Sequence, residues 1–238
     1  MSGQSLNAGF LSPYLDSLGG AKFTNGPNFA VVGSSSLPRY VPFSLNIQIV
    51  MQFLRFKARS IELVTAGSGN MIDDEAFRNA LYVIDMGQND LADSFSKNFS
   101  YAQVVKRIPS VLREIQNAVK TLYNEGGRNF WMHSTGPLGC PPQTSYNSAA
   151  RLFNEGLCRL CLDTRSDVKG ANIVYVDVYA IKYDLFASST KYGFSTPLMA
   201  CCRYGGPPYN YINIKLTWST RLSAYSTPRT LFDFFCSG

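Results

Sequence analysis

Short apolar runs alternate along this chain with longer stretches in which apolar residues return every three or four positions. The short runs are Asn28–Val32, Leu81–Asp85, Asn129–His133 and Asn172–Asp177, and they read as strands. Between them, Ser44–Val64 carries Leu45, Ile49, Phe53, Phe56, Ile61 and Val64 at close to helical spacing. A second helical stretch places Val104, Ile108, Val111, Leu112, Ile115, Val119 and Leu122 on one face. It opens on Ser100-Tyr-Ala-Gln103, a capping box in which the serine oxygen and the glutamine side chain satisfy orphan amides. Pro109 is a kink point inside it, and Gly126-Gly127 ends it. A third helix runs over Ala149–Val168 and stops at Gly170. Near-continuously apolar strands separated by helices predict a parallel sheet covered on both faces, an α/β fold.

Composition narrows the function classes. The chain has 238 residues, 45% apolar and 16% charged, enough to bury a sizeable core in one domain and unlike a disordered or coiled-coil protein. No apolar run approaches the roughly 20 residues of a membrane helix. Met1-Ser-Gly-Gln-Ser lacks the basic and apolar regions of a signal peptide. The net charge of +6 is scattered. Arg55, Lys57 and Arg59 form its densest cluster, read as a solvated helix face, so no nucleic-acid partner is expected. Of six cysteines, Cys158 and Cys161 have CxxC spacing late in a helical pattern, and the sole histidine is His133. Zinc needs four ligands, so no metal or other cofactor is expected. Adjacent Cys201 and Cys202 suit an oxidising compartment, and Asn98-Phe99-Ser100 is a glycosylation acceptor pattern.

In open parallel sheets, ligands sit at the carboxyl ends of strands. Three loops qualify here: Gly33-Ser-Ser-Ser36, Gly87-Gln-Asn-Asp90 and Ser134-Thr-Gly-Pro-Leu-Gly139. Asp90 and Asp93 beside the second argue against a phosphate cradle. Together with their strands, the three blocks Asn28–Gly33, Asp85–Asp90 and His133–Cys140 resemble successive blocks of the plant GDSL esterase/lipase family, within the SGNH hydrolase superfamily. Leu11-Ser-Pro-Tyr-Leu15 and Ala200-Cys-Cys-Arg-Tyr-Gly-Gly-Pro-Pro-Tyr209 extend the likeness, which points to the early-nodulin and acetylesterase-like branch.

The resemblance implies a flavodoxin-like sheet, a Ser–His–Asp apparatus and hydrolysis of carboxylic esters, acyl or acetyl, on a small molecule or an acylated glycan. It carries the oxyanion-hole glycine onto Gly33 and the oxyanion-hole asparagine onto Asn89. A glycine lets a backbone N–H approach the substrate, and an asparagine amide donates without changing charge. It also implies a secreted full-length protein.

The chain departs from that pattern in its chemistry. It contains no Gly-Asp-Ser-Leu motif and no Asp-x-x-His; His133 has Phe130 three residues before it and reads as a structural strand histidine. Ser34, Ser35 and Ser36 have no base to activate them, and Gly67-Ser68-Gly69 is out of register for a nucleophile elbow. The domain is expected to be a single incomplete one over 1–238, family-like to about Asn210, divergent over 211–221 and family-like again in the 222–238 tail. A segment is also missing after Gln143, and the first strand of the sheet is expected to be absent. Impaired catalysis follows, or a non-catalytic isoform that binds an ester or glycan; exposed strand edges would favour non-native oligomers.

Overall fold

A computed structural model describes residues 9–15, 22–31, 33–38, 45–137 and 144–195. They fall into two compact units, Met1–Asp177 and Val178–Gly238. The 200–209 block, the 211–238 region, and Cys140, Cys201, Cys202 and Cys236 lie outside the described residues.

The first unit is an α/β layer built on three parallel strands, β3 (Leu81–Asp85), β4 (Asn129–His133) and β5 (Asn172–Val176), paired in chain order. Leu81 pairs with Asn129 and Asn129 with Asn172; at the other end Asp85 pairs with His133 and His133 with Val176. The strands therefore finish level, and the residues after them share one rim. Ile84, Phe130, Met132 and Ile173 bury one face, whereas Val83 and Val174 on the other remain exposed.

The helices follow the sequence pattern closely. Leu45–Val50 is a π-helical turn leading into α1 (Met51–Thr65), and α2 is Asp74–Asn79, capped by the Asp73 carboxylate on the Ala76 amide. Gln88–Ser96 forms α3, and Tyr101–Asn124 forms α4, continuous through Pro109 and opened by the Ser100/Gln103 capping box. Its buried residues are Val104, Ile108, Val111, Ile115, Ala118, Val119 and Leu122. Helix α5 runs from Thr144 to Asp167. Lys57 joins three elements: its Nζ donates to the Glu125 carbonyl at 2.5 Å and lies 3.2 Å from the Glu125 carboxylate and 3.6 Å from Asp74. It is thus an ion-paired residue rather than part of a free basic face, while Arg59 pairs locally with Glu62.

One strand expectation is corrected. The run from Asn28 pairs only at its start, where β2 (Pro27–Asn28) lies parallel to β1 (Ser12–Pro13) as a separate two-stranded sheet. The Asn28 side chain accepts the Ala30 amide at 2.9 Å, a local bond in place of a ladder partner. Phe29 then enters an aromatic cluster with Tyr14, Phe53 and Phe56, centroids 5.1–6.1 Å apart. Phe53 continues to Tyr82, and Tyr82 stacks on Phe130. Ring packing, not ladder hydrogen bonds, anchors the segment that leads to Gly33.

The second unit contains α6 (Val178–Ala187) and a 3-10 turn at Ser189–Tyr192 closed by Gly193 at φ +81°. Within it Tyr192 and Ser188 both donate to the Asp184 carboxylate. No helix among the described residues is long and apolar enough to cross a membrane.

Candidate active site

The rim of the sheet begins with Met86 and Gly87 after β3. Gly87 caps α3 from a left-handed conformation, φ +111°, and a Cβ there would lie 2.3 Å from the Phe153 ring of α5. Only glycine meets both demands. The turn delivers Asn89 and Asp90 in the first turn of α3, facing the Gly33–Leu37 loop.

Both residues grip that loop. Asn89 Nδ2 donates to the Ser34 carbonyl at 2.8 Å. The amides of Ser36 and Leu37 donate to the two oxygens of the Asp90 carboxylate at 2.8 and 2.9 Å. Asp90 is 4% exposed, and burial pushes its carboxyl above the usual carboxylate range although the Leu37 and Ser36 amides favour the ion. The loop is further tied by the Leu45 amide on the Ser35 carbonyl and by the Ser35 hydroxyl on the Leu37 carbonyl. Gly33 itself is exposed at φ +80°, and a Cβ there would meet nothing within 4 Å. The two residues expected to form the oxyanion hole are therefore brought to one rim, Gly33 on an open loop and Asn89 bonded to the residue that follows it.

The third loop is held from α5. Asn154 Oδ1 accepts the Thr135 amide and Asn154 Nδ2 donates to the Thr135 carbonyl, each at 2.9 Å. Asn154 thus acts as a surrogate strand edge, buried at 6% exposure. Neighbouring Phe153 and Asn154 fix the second and third loops from one helical turn.

His133 ends β4 opposite Asp85, its Nδ1 3.6 Å from that carboxylate. Ser34 Oγ lies 4.0 Å from Met86 Sδ, and the Ser35 hydroxyl is committed to the Leu37 carbonyl. Cys158 and Cys161 sit in α5 as free thiols; burial pushes the Cys161 thiol up to about 12, which keeps it protonated and unreactive at neutral pH.

Residues 2–233 match the family described as GDSL-like Lipase/Acylhydrolase. The chain belongs to that family. A GDSL esterase/lipase of Arabidopsis thaliana is 53% identical over 286 aligned residues, covering 99% of this chain and 77% of the relative. GDSL esterase/lipase LIP-4, also from Arabidopsis thaliana, is 54% identical over 90% of this chain and 62% of its own length. GDSL esterase/lipase ENOD8 of Medicago truncatula is 38% identical over 85% of this chain and 59% of its own. The chain thus spans less than two thirds of the latter two. The first alignment, at 286 residues, is also longer than the 238 residues of this GDSL chain, so that relative carries internal stretches with no counterpart here.

Asp90, Phe153 and Asn154 were not singled out as site residues from sequence. A carboxylate one residue after Asn89 was legible only as a negative charge beside the loop. Its partners are backbone amides, which leave no mark in side-chain patterning.

Proposed function

We propose that this chain keeps the oxyanion-binding half of a GDSL-type serine ester hydrolase and lacks the half that moves protons. Family membership supports carboxylic ester hydrolysis as the parent chemistry. The observation that carries the reading is the joining of the Gly33 loop to Asn89 at the carboxyl rim of the sheet. The Gly33 amide and the Asn89 side-chain amide are donors of the kind that stabilise a tetrahedral oxyanion. An acyl or acetyl ester, on a small molecule or on a glycan, presents the carbonyl such donors take.

A serine hydroxyl needs an adjacent base to become nucleophilic. The sole histidine is His133, whose Nδ1 faces Asp85 across adjacent strands. The internal stretches of the Arabidopsis relative that have no counterpart here support the loss of a block such as Asp-x-x-His. Site binding without turnover follows.

The test is a fluorophosphonate probe beside a short p-nitrophenyl ester assay on the purified chain. Neither labelling nor hydrolysis above that of Asn89→Ala is expected. Labelling of a serine, with hydrolysis lost on its replacement by alanine, would overturn the impairment and leave a working esterase.

A further inference from the structure

We propose that Asp90 is the positioning residue of this site: its carboxylate, gripping the Ser36 and Leu37 amides, sets the Gly33 loop at a fixed place relative to Asn89. The inference rests on the reading of Gly33 and Asn89 as donors to one oxygen, and asks what keeps them in place.

A loop carrying a left-handed glycine in open space has little to hold it. Gly33 is exposed and meets no neighbour where a Cβ would be. Its following residues are fixed by consecutive side chains of one helical turn, Asn89 on the Ser34 carbonyl and Asp90 on the Ser36 and Leu37 amides. Two near-equal bonds from adjacent amides to the two oxygens of one carboxylate fix orientation as well as distance. Because Asn89 and Asp90 are neighbours in α3, the residue that donates and the residue that grips move as one body.

The chemistry is selective for aspartate. Both loop groups are donors, so the partner must present two acceptors. Asparagine has the same shape but one oxygen and one NH2, which would set donor against donor at one of the amides. The protein instead keeps a carboxylate 4% exposed, where burial works against its charge. No ion pair with Asp90 occurs among the described residues, so the backbone amides are its main compensation.

The experiment is NMR on the full 15N-labelled chain and its Asp90→Asn variant, with butyrate as an acyl-carboxylate probe. In Asp90→Asn, the Ser36 and Leu37 amides should exchange at least tenfold faster and the Asn89 side-chain signals should move, while the Thr135 amide held by Asn154 keeps its protection. Unchanged exchange at Ser36 and Leu37 would overturn the proposal. In the unsubstituted chain with 13C-labelled aspartate, through-bond couplings from both amides to the Asp90 carboxyl carbon are expected; their absence would also overturn it, and this arm stands if the variant does not fold. Butyrate should shift the Gly33 amide and Asn89 side chain together, and that joint response should fall at least tenfold in apparent affinity in Asp90→Asn. If butyrate moves neither group while the exchange and coupling results hold, the oxyanion reading fails and the positioning role of Asp90 stands.

Discussion

Gly33 and Gly87 are both left-handed, at φ +80° and +111°. Their surroundings are opposite. A Cβ on Gly33 would meet nothing within 4 Å, whereas one on Gly87 would lie 2.3, 2.7 and 2.9 Å from three atoms of the Phe153 ring. One glycine leaves a backbone open to whatever approaches from outside; the other lets two elements of the protein close on each other. The same residue type thus serves access at one loop and packing at its neighbour. The packed loop can be rigid by contact alone, while the open loop depends on hydrogen bonds borrowed from α3.

The largest effect is expected where packing decides. Gly87→Ala meets a left-handed penalty of roughly 1–2 kcal/mol and a forced repacking of about 1–3 kcal/mol. A loss of roughly 2–5 kcal/mol in denaturant unfolding is therefore expected. Combined with Phe153→Leu, which withdraws the ring, the same substitution should cost only its conformational share. Equal costs in both backgrounds would show that the ring swings aside freely and that the comparison is misdrawn.

Asn154→Ala comes next. It strips the Thr135 amide and carbonyl of their partner in a buried setting, with Thr135 2% exposed. Unsatisfied buried groups cost about 1–3 kcal/mol each, so a loss of roughly 2–6 kcal/mol is expected in thermal or urea melts. A loss below about 1 kcal/mol would mean that water enters and the third loop is as open as the first.

Gly33→Ala should be milder, about 1–2 kcal/mol from its left-handed φ alone. Its cost should be the same with or without Phe153→Leu, since nothing crowds the position. A double-mutant cycle checks this; coupling above about 0.5 kcal/mol would mean the two loops share packing after all.

How far the sequence foretold this depends on what kind of bond does the holding. The capping box at Ser100/Gln103, the buried stripe from Val104 to Leu122, and the spans of β3, β4 and β5 rest on local rules of spacing and capping, and the structure has them in place. The run from Asn28 misled because its apolar residues are compatible with a strand, while the decisive contact, Phe29 among Tyr14, Phe53 and Phe56, is long-range. At the rim, Gly33 and Asn89 were legible as motif residues. The steric need for Gly87 was not, because it depends on Phe153, 66 residues away in sequence. Likewise the Asp90 bonds reach 53 and 54 residues back to amides that any side chain could carry.

The smallest effect separates the loops by pH. Burial holds the Asp90 carboxyl above its ordinary value, outweighing the Leu37 and Ser36 amides and the Arg107 charge, which pull the other way. A carboxyl raised on folding contributes stability that is fully present below its unfolded value near 3.9 and is lost as the pH rises through its folded value. Acidification through that window should therefore raise the stability of the chain relative to Asp90→Asn. Locally the sign reverses, because a protonated carboxyl no longer offers two charged acceptors to the Ser36 and Leu37 amides. Their exchange, corrected for its intrinsic pH dependence, should quicken as the pH falls. The Leu91 amide, bonded to the Gly87 carbonyl at 3.1 Å with no titrating partner in that bond, should not follow. If Leu91 loosened in step with Ser36 and Leu37, the packed loop would be coupled to the open one through α3, and the division between contact and hydrogen bonding would have to be abandoned.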